Sequence, residues 1–377
     1  MIPFFPPDLF AADRQTLLDL IHRIGTEPAQ RFILGPRTAR LESELRTGLG
    51  AADVIACGNG TGALTMILHA MGIGAGDEVI VPAFGCAPLA STVVNLGAVP
   101  VFADIDPWTM VADPDEMARL VTARTRALVP AHVFSVMADM PRLRAIADRY
   151  DLRLVEDSAV AQGASLDGRP AGLWGDAGLY SFVQVKTFGM PGEGGVVVTG
   201  DPELGRTIRL LRNHGQDAGI RFLHHRVGYN SRFDEIQAAF QLHRLPGLPK
   251  RLARRRTIGG YYTDRFAGLR DAGILAPPPI GDGRCFYVYN LLAERREELQ
   301  AYLRSRGVDT HVYYPLPLPR QPAFDRYAPP GSQWPHAESA SRRSLALPIY
   351  PHLTDAQVEY IADVVCDFAR QPQEALR

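Results

Sequence analysis

The chain has 377 residues, which is enough for two domains or for one large domain with a smaller lobe. Its charged content of 21% and formal net charge of −1 exclude the basic surface that binds nucleic acid or anionic membranes. The four cysteines lack the spacing of a disulfide framework or a zinc site. No apolar run reaches the length of a membrane span, and the short, proline-containing stretch Met1–Asp8 differs from a signal peptide, so we expect a cytoplasmic protein.

The first 50 residues form a proline-rich arm and two helical patterns, and short apolar strands then alternate with helices from Val54 onward. After Val54, strands are predicted over Asp77–Pro82, Val99–Asp104, Arg126–His132, Leu152–Asp157, Gly178–Val185 and Gly195–Thr199. Helices are predicted over Arg14–Ile24, Arg37–Leu49, Thr61–Met71, Leu89–Leu96, Met140–Tyr150, Pro202–Arg212 and Phe233–His243. This alternation indicates a mostly parallel sheet that is covered on both faces.

The pattern changes in the last third of the chain, after a basic helix that is predicted over Lys250–Phe266. The remaining predictions are strands over Cys285–Leu292 and Val308–Tyr314 and helices over Arg295–Arg306 and Thr354–Arg370. They describe a smaller α+β lobe. We place the domain boundary between residues 248 and 249, which gives domains 1–248 and 249–377, with the loop Pro277–Pro279 as the alternative.

One lysine is conspicuous, because the 40 basic residues include only two lysines, Lys186 and Lys250. Arginine cannot lose its proton near neutral pH, whereas a desolvated lysine has a lowered pKa and forms Schiff bases with aldehydes. Lys186 follows the apolar strand that contains Ser181 and precedes the glycine-rich turn Gly192–Gly195. Lys250 lies in a charged helical run and is the internal comparison. The alternative is that Lys186 is a chance survivor of an arginine-rich composition.

Three further motifs have the composition of a ligand site. In Cys57–Gly62, glycines and Thr61 open a helix, where free N–H groups bind phosphate, although a flexible cap without a ligand is the alternative. Asp157 ends a strand where parallel sheets place ligands, and a pyridinium N–H would balance its charge; the alternative is the N-cap of the next helix. Asn230–Arg232 precedes a helix and also favours an anion, or forms a cap with an Arg–Asp surface pair.

Together these motifs meet the requirements of pyridoxal phosphate (PLP). The glycine turn would hold the phosphate, Asp157 would keep the ring nitrogen protonated, and Lys186 would bind the aldehyde as an imine. We predict no metal site.

The motifs resemble, in type and order, the sugar aminotransferase family named after DegT, DnrJ and StrS, which belongs to the fold-type-I, aspartate-aminotransferase-like PLP enzymes. The resemblance extends over nearly the whole chain and rests on Gly35-Pro36, Asn59–Leu64, Gly76–Phe84, Ala138–Met140, Glu156–Ala159, Ser181 with Lys186, Glu193–Gly195, Arg212–Gly215, Gly228–Arg232, Asp234–Ala238, His311–Pro315 and Leu347–Pro351. It implies an α/β fold with a mostly parallel seven-stranded sheet between helices and a smaller C-terminal α+β domain.

The resemblance also implies roles for single residues. Lys186 would bind the cofactor and act as the base of a 1,3-proton shift, while Asp157 would pair with the pyridine nitrogen. Asn230 would reach the cofactor phosphate of a neighbouring subunit, which implies a homodimer. The other implied cofactor-binding residues are Gly60, Thr61, Gly62, Cys86 and Ser181. Candidates for substrate binding are Phe188, Arg232, His311 and Tyr313.

Two positions depart from the family pattern. Cys86 stands where the family usually has an aromatic residue that stacks on the cofactor, although some branches also carry cysteine there. Val160 stands where Gln or His usually lies near the 3′-oxygen of the cofactor, and the nearby polar residue is Gln162. Each change could cost about 1 kcal/mol of cofactor binding.

The resemblance implies a PLP-dependent aminotransferase that moves an amino group from glutamate or glutamine to a keto sugar. The expected acceptor is a nucleotide-linked 3- or 4-keto-6-deoxy sugar in amino-sugar or antibiotic biosynthesis. Alternatives are an aminotransferase for a cyclitol ketone, a PLP enzyme of another reaction type such as a dehydratase, and a PLP-binding regulatory protein. Lys186 argues against the dehydratase branch, which carries His there. The loops Gln216–Arg226 and Phe188–Pro191 are expected to contact substrate.

Overall fold

A computed structural model describes residues 1–216, 219–279 and 283–371. A seven-stranded sheet organises the first two thirds of the chain, in the order β1-β9-β8-β5-β4-β2-β3. Its strands are β1 (Asp53–Cys57), β2 (Glu78–Pro82), β3 (Val99–Ala103), β4 (Thr125–Leu128), β5 (Arg153–Asp157), β8 (Ala177–Ser181) and β9 (Gly195–Thr199), and a small hairpin of β6 (Ser165–Leu166) and β7 (Arg169–Pro170) precedes β8. Strand β9 is antiparallel to both of its neighbours, and the other pairs along the sheet are parallel.

Both faces of this sheet are buried. Successive side chains of one strand point to opposite sides, and β1 has buried side chains on each side. In β1, Ile55 and Cys57 belong to one hydrophobic cluster, whereas Val54 and Ala56 belong to another. The helices of this part are α1 (Arg14–Thr26), α2 (Pro36–Leu49), α3 (Gly60–Ala70), α4 (Pro88–Asn95), α5 (Pro114–Arg119), α6 (Met140–Tyr150), α7 (Pro202–Arg212) and α8 (Glu235–Arg244). The predicted mostly parallel α/β sheet is confirmed, and its element bounds differ from the prediction by a few residues.

The remaining chain builds a three-stranded antiparallel sheet with its own apolar cluster. Its elements are α9 (Leu248–Phe266), β10 (Ile274–Leu275), β11 (Tyr289–Ala293), α10 (Arg296–Ser305), α11 (Pro335–Arg343), β12 (Ser344–Leu347) and α12 (Asp355–Ala369). The predicted domain boundary falls in the first turn of α9 and stays a prediction. No helix within the described ranges is long and apolar enough to cross a membrane.

The predicted strand over Val308–Tyr314 is wrong. Val308 forms a single bridge with Ile2 of the N-terminal arm, and His311 forms another with Ala346 of β12. Because the backbone partners of this segment are divided between two separate elements, no continuous ladder forms.

The small lobe is fastened to the large sheet next to the carboxyl ends of its strands. The carboxylate of Asp104, which follows β3, accepts hydrogen bonds from the N–H groups of His336 (3.0 Å) and Ala337 (2.8 Å) in the first turn of α11. The indole of Trp334 donates to the carbonyl of Phe102 at 2.8 Å. These contacts hold small-lobe residues over the edge of the sheet where the candidate site lies.

Candidate active site

A cavity of about 550 Å³ opens at the carboxyl ends of the parallel strands, which is where sheets of this kind bind ligands. It brings together residues that are far apart in sequence. The sequence-predicted residues in its wall are Gly60, Thr61, Cys86, Asp157, Ser181, Lys186 and Tyr313. Gly62, Phe188, Asn230, Arg232 and His311 do not belong to this wall in the single chain that the structure describes.

Lys186 is presented to the cavity by a tight turn after β8. Its N–H donates to the carbonyl of Val183 at 2.9 Å, and the N–H of Gly189 donates to the carbonyl of Lys186 at 3.0 Å. A Cβ at position 189 would lie 2.3 Å from the carbonyl oxygen of Gln184, so this close backbone approach requires glycine. The sequence thus fixes the backbone that carries the lysine.

The ammonium of Lys186 lies 4.3 Å from the ring centre of Tyr287, a cation–π distance. Burial lowers the pKa of Lys186, while the charges of Cys86, Asp157 and Glu193 oppose that shift. The amine is therefore a better nucleophile and proton acceptor near neutral pH than an exposed lysine.

Asp157 is a carboxylate without a direct ion pair among the described residues. Burial raises the pKa of Asp157. Two smaller effects lower that pKa: the N–H of Ala159 donates to Oδ1 at 3.0 Å, and the charges of Lys186 and His132 lie nearby. A buried carboxylate of this kind gains from a cationic N–H donor inside the cavity. A pyridinium nitrogen would be such a donor.

The glycine turn forms the third part of the site. Asn59 caps α3, and its side chain accepts from the N–H of Gly62 at 2.7 Å. The N–H groups of Gly60 and Thr61 also start the helix, and neither has a protein acceptor among the hydrogen bonds of the described residues. A Cβ at Gly60 would lie 3.0 Å from Cβ of Ser181, so this backbone and the Ser181 side chain share one corner.

This corner has the chemistry of a phosphate cradle, with free N–H groups, the positive end of a helix and a nearby hydroxyl. Together with Lys186 and Asp157 it fits PLP. The Gly60–Thr61 backbone and Ser181 would hold the phosphate, Asp157 would face the ring nitrogen, and Lys186 would meet the aldehyde.

The motif around Asn230 contacts the glycine turn from behind. The hydroxyl of Ser231 accepts from the N–H of Gly58 at 3.2 Å, and the carbonyl of Ser231 accepts from the same group at 3.1 Å. Asn230 is exposed, and Arg232 is partly exposed and forms no ion pair with Asp234 within the described part of the chain. The exposed position of Asn230 leaves it available to a second subunit.

Phe188, which the sequence predicts to contact substrate, does not line the cavity. Its side chain is fully buried, packs edge-on against Phe182 at 5.5 Å, and has its carbonyl held by the side chain of Gln241 at 2.8 Å. The turn that points Lys186 outward directs Phe188 into the core, where it anchors the loop. His311 also lies outside the cavity wall and stacks on Phe4 at 5.5 Å.

The two departures from the family pattern both lie at the site. Cys86 and Val160 line the cavity. Gln162 does not line the cavity. Its backbone carbonyl accepts a hydrogen bond from the hydroxyl of Thr187, the residue after Lys186, at 3.3 Å. Gln162 therefore stabilises the turn that carries the lysine.

His132 and Glu156 are site residues that the sequence reasoning missed. His132 lines the cavity and is fully buried; its Nδ1 accepts from the N–H of Ala138 (3.2 Å), so its Nε2–H donates to Glu156 (3.0 Å). The Glu156 carboxylate also accepts from the N–H groups of Gly172 and Gly175. This network fixes the backbone next to Asp157. The sequence feature that could have predicted His132 is its position just after a parallel strand, where such sheets bind ligands.

Aromatic residues from the small lobe complete the wall. Tyr287 and Tyr314 line the cavity, the hydroxyl of Tyr287 is hydrogen-bonded with that of Tyr313, and Tyr314 packs edge-on against Phe84 at 5.5 Å. Sequence reasoning included Tyr313 but missed the other two tyrosines, because their approach depends on how the lobes dock.

Comparisons with known proteins show the family to which the chain belongs. The DegT/DnrJ/EryC1/StrS aminotransferase family matches residues 23–366. A pleiotropic regulatory protein of Geobacillus stearothermophilus is 40% identical, over 91% of this chain and 92% of its own. The dTDP-3-amino-3,4,6-trideoxy-alpha-D-glucose transaminase of Streptomyces venezuelae is 38% identical, over 92% and 90%. The crystal structure of S. venezuelae DesV in complex with a ketimine intermediate superposes with a TM-score of 0.92, at 38% identity, over 98% of this chain and 99% of that one.

Proposed function

We infer the reaction from one premise, that the chain belongs to the DegT/DnrJ/EryC1/StrS aminotransferase family. The protein is a PLP-dependent aminotransferase. We propose that its acceptor is a keto sugar linked to a nucleotide, in amino-sugar biosynthesis, and that glutamate or glutamine is the amino donor. The family relative from S. venezuelae, named as a transaminase for a dTDP-linked 3-amino sugar, supports this substrate class.

The observation that carries the proposal is the meeting of Lys186, Asp157 and the start of α3 in one cavity. PLP, when bound, supplies an electron sink that lets the hydrogen on the carbon next to nitrogen leave as a proton. Lys186 Nζ, with its lowered pKa, would take up that proton and return it at a neighbouring atom. Asp157 would accept a hydrogen bond from the ring N–H and keep that nitrogen protonated.

The wall of the cavity offers an uncharged sugar ring a packing surface. Tyr313 and Tyr314 present aromatic surface, and among the described residues no arginine lines the cavity. We propose that the diphosphate and the nucleotide lie at the mouth, outside this wall. A 3- or 4-keto-6-deoxy sugar suits the apolar face, and a cyclitol ketone is the alternative acceptor.

We also propose a homodimer in which Asn230 reaches the cofactor phosphate of the second subunit. Asn230 is exposed and is bridged to Asn213, so its position is fixed before any partner binds. We also propose that Arg232 and His311 contact substrate in the dimer. Neither residue lines the cavity of its own chain, so each would act at the cavity of the second subunit.

The test is direct transfer of a labelled amine. The purified enzyme is incubated with ¹⁵N-glutamate or ¹⁵N-glutamine as the donor. The acceptor is either a dTDP- or UDP-linked keto sugar or an inosose ketone, and the ¹⁵N content of the amine product is measured by mass spectrometry. We expect ¹⁵N in the nucleotide-linked amino sugar and little in an amino-inositol. Transfer to the inosose alone would show that the acceptor assignment is wrong, and Lys186→Ala serves as the blank.

A further inference from the structure

A second cavity, of about 40 Å³, lies behind the loop that carries Lys186. One side is formed by apolar residues of the N-terminal arm and by residues 184–187 and 189 of the Lys186 loop. The other side carries three arginines, Arg244 at the end of α8 and Arg251 and Arg255 on α9. We call this space the arginine cavity.

The charges around the arginine cavity do not balance. A guanidinium stays protonated in proteins, so the three side chains carry three positive charges. Asp13 is the one carboxylate that pairs with any of them in the described part of the chain, with Oδ2 3.5 Å from Nη1 of Arg244. Burial, followed by the charge of Arg244, lowers the pKa of Arg251 to about 10, which still leaves it charged at neutral pH.

Neutral groups satisfy some of these donors without compensating the charge. Nη1 of Arg255 donates to the carbonyls of Phe286 (3.0 Å) and Ile349 (2.8 Å), and this arginine is only 7% exposed. Nη2 of Arg251 donates to the carbonyl of Arg244 at 2.8 Å. Arg255 is buried and Arg244 and Arg251 are partly buried. A buried cation without a counter-charge is unfavourable, so these contacts alone do not account for the cluster.

Some donors in the cluster are also left over. The buried Nε atoms of Arg244 and Arg251 have no hydrogen-bond acceptor among the described residues. Buried donors in folded proteins are almost always paired, with protein, water or an ion. Unpaired N–H groups, excess positive charge and a small cavity thus occur together.

We propose that the arginine cavity binds a monovalent anion of chloride size. A single water needs about 10–15 Å³ of such space, so 40 Å³ gives room for a halide ion. Because the floor of the cavity is the Lys186 loop, the bound anion holds that loop in place from the side opposite the active site.

The test uses the intact holoenzyme purified in halide-free sodium gluconate. Thermal unfolding is followed as gluconate is replaced by chloride or bromide at fixed ionic strength, which holds screening of surface charges constant. We expect the halides to raise Tm by about 2–4 °C with saturation, because an anion that binds only the folded state stabilises it. Equal Tm values in all three salts would overturn the proposal.

Two variants on α9 locate the effect. Arg251→Gln removes a cavity arginine and is expected to abolish most of the halide-specific rise in Tm. Arg256→Gln removes an arginine of the same helix that does not line the cavity, and should keep that rise.

If Arg251→Gln does not fold, a crystal of the natural protein grown in bromide decides. An anomalous bromide peak between Arg244 and Arg251 supports the proposal. An arginine cavity that holds only water, or a carboxylate from a second copy of the chain, contradicts it.

Discussion

Lys186 follows a buried strand of the sheet, whereas Lys250 stands exposed in the first turn of α9. Lys186 faces Asp157 and the ring of Tyr287 inside a cavity, and burial lowers its pKa. Lys250 belongs to a run of basic residues on a helix surface. The two lysines have the same chemistry, so the difference shows that the surroundings, rather than the residue type, create the reactive amine.

The largest expected effect comes from removing each lysine in turn. Lys186→Ala should lower the rate of amine transfer by about 10³-fold or more, since it removes the group that we propose binds the cofactor and moves the proton. Lys250→Ala should stay within about twofold, because an exposed side chain far from the cavity is lost. Steady-state assays with glutamate measure both. Comparable losses in the two variants would remove the basis of the comparison.

The next effect tests the carboxylate beside Lys186. Asp157→Asn keeps the size of the side chain but loses the charge that we propose holds the ring nitrogen protonated, so kcat should fall by about 10²–10³-fold. Asp139→Asn is the matched control, because Asp139 only caps α6 through a 3.1 Å bond from the N–H of Arg142. A kcat for Asp157→Asn within a few-fold of the natural enzyme would contradict the assigned role.

The supporting layer of the Lys186 region should matter for stability. Glu156→Gln replaces a carboxylate oxygen by an NH₂ group among several N–H donors, which should lower the free energy of unfolding by about 2–3 kcal/mol. Glu116→Gln removes a carboxylate from a surface pair with Arg119 and should change it by no more than about 0.5 kcal/mol. Urea denaturation gives both values, and equal losses would mean that the buried network does not contribute.

A smaller change tests the turn itself. Gly189→Ala places a Cβ against the carbonyl of Gln184 and should cost about 1–2 kcal/mol and weaken PLP binding. Gly200→Ala, where nothing lies within 4 Å of the new Cβ, should be nearly neutral. Denaturation and PLP titration of both apoproteins check this. Normal cofactor affinity in Gly189→Ala would show that the turn is more tolerant than its geometry indicates.

The smallest effect concerns pH. Since burial lowers the pKa of Lys186 in the folded protein, the folded state disfavours the proton, and stability rises as pH increases from that lowered pKa to the unfolded value of about 10.4. Lys186→Met removes the buried charge. The apo variant should therefore be more stable than the natural apoprotein at neutral pH, and the gap should narrow as pH rises toward 10. A gap that widens with pH contradicts the shift.

Much of the site could be predicted because its residues follow strands of one sheet. Asp157 and Ser181 each end a strand, Thr61 opens a helix just after another, and Lys186 follows Ser181 within a few residues. Local sequence therefore places them at one edge. Asn59, the cap of α3, belongs to the same local pattern.

The rest depends on contacts that sequence patterns do not record. Tyr287 reaches Lys186 from the other lobe. That lobe is held against the sheet by the hydrogen bond between Asp104 and the first turn of α11. Phe188 is next but one to Lys186 in sequence, yet the turn directs it into the core. Tertiary packing decided both positions, as it did for the segment Val308–Tyr314, whose strand-like sequence found no continuous partner.

The most direct measurement uses the fact that the chain has only two lysines. The protein is loaded with PLP, reduced with borohydride and digested, and the peptides are analysed by mass spectrometry. We predict a phosphopyridoxyl group on the peptide that contains Lys186 and none on the peptide that contains Lys250. A label on Lys250 alone, equal labelling of both, or no label on either would contradict the account.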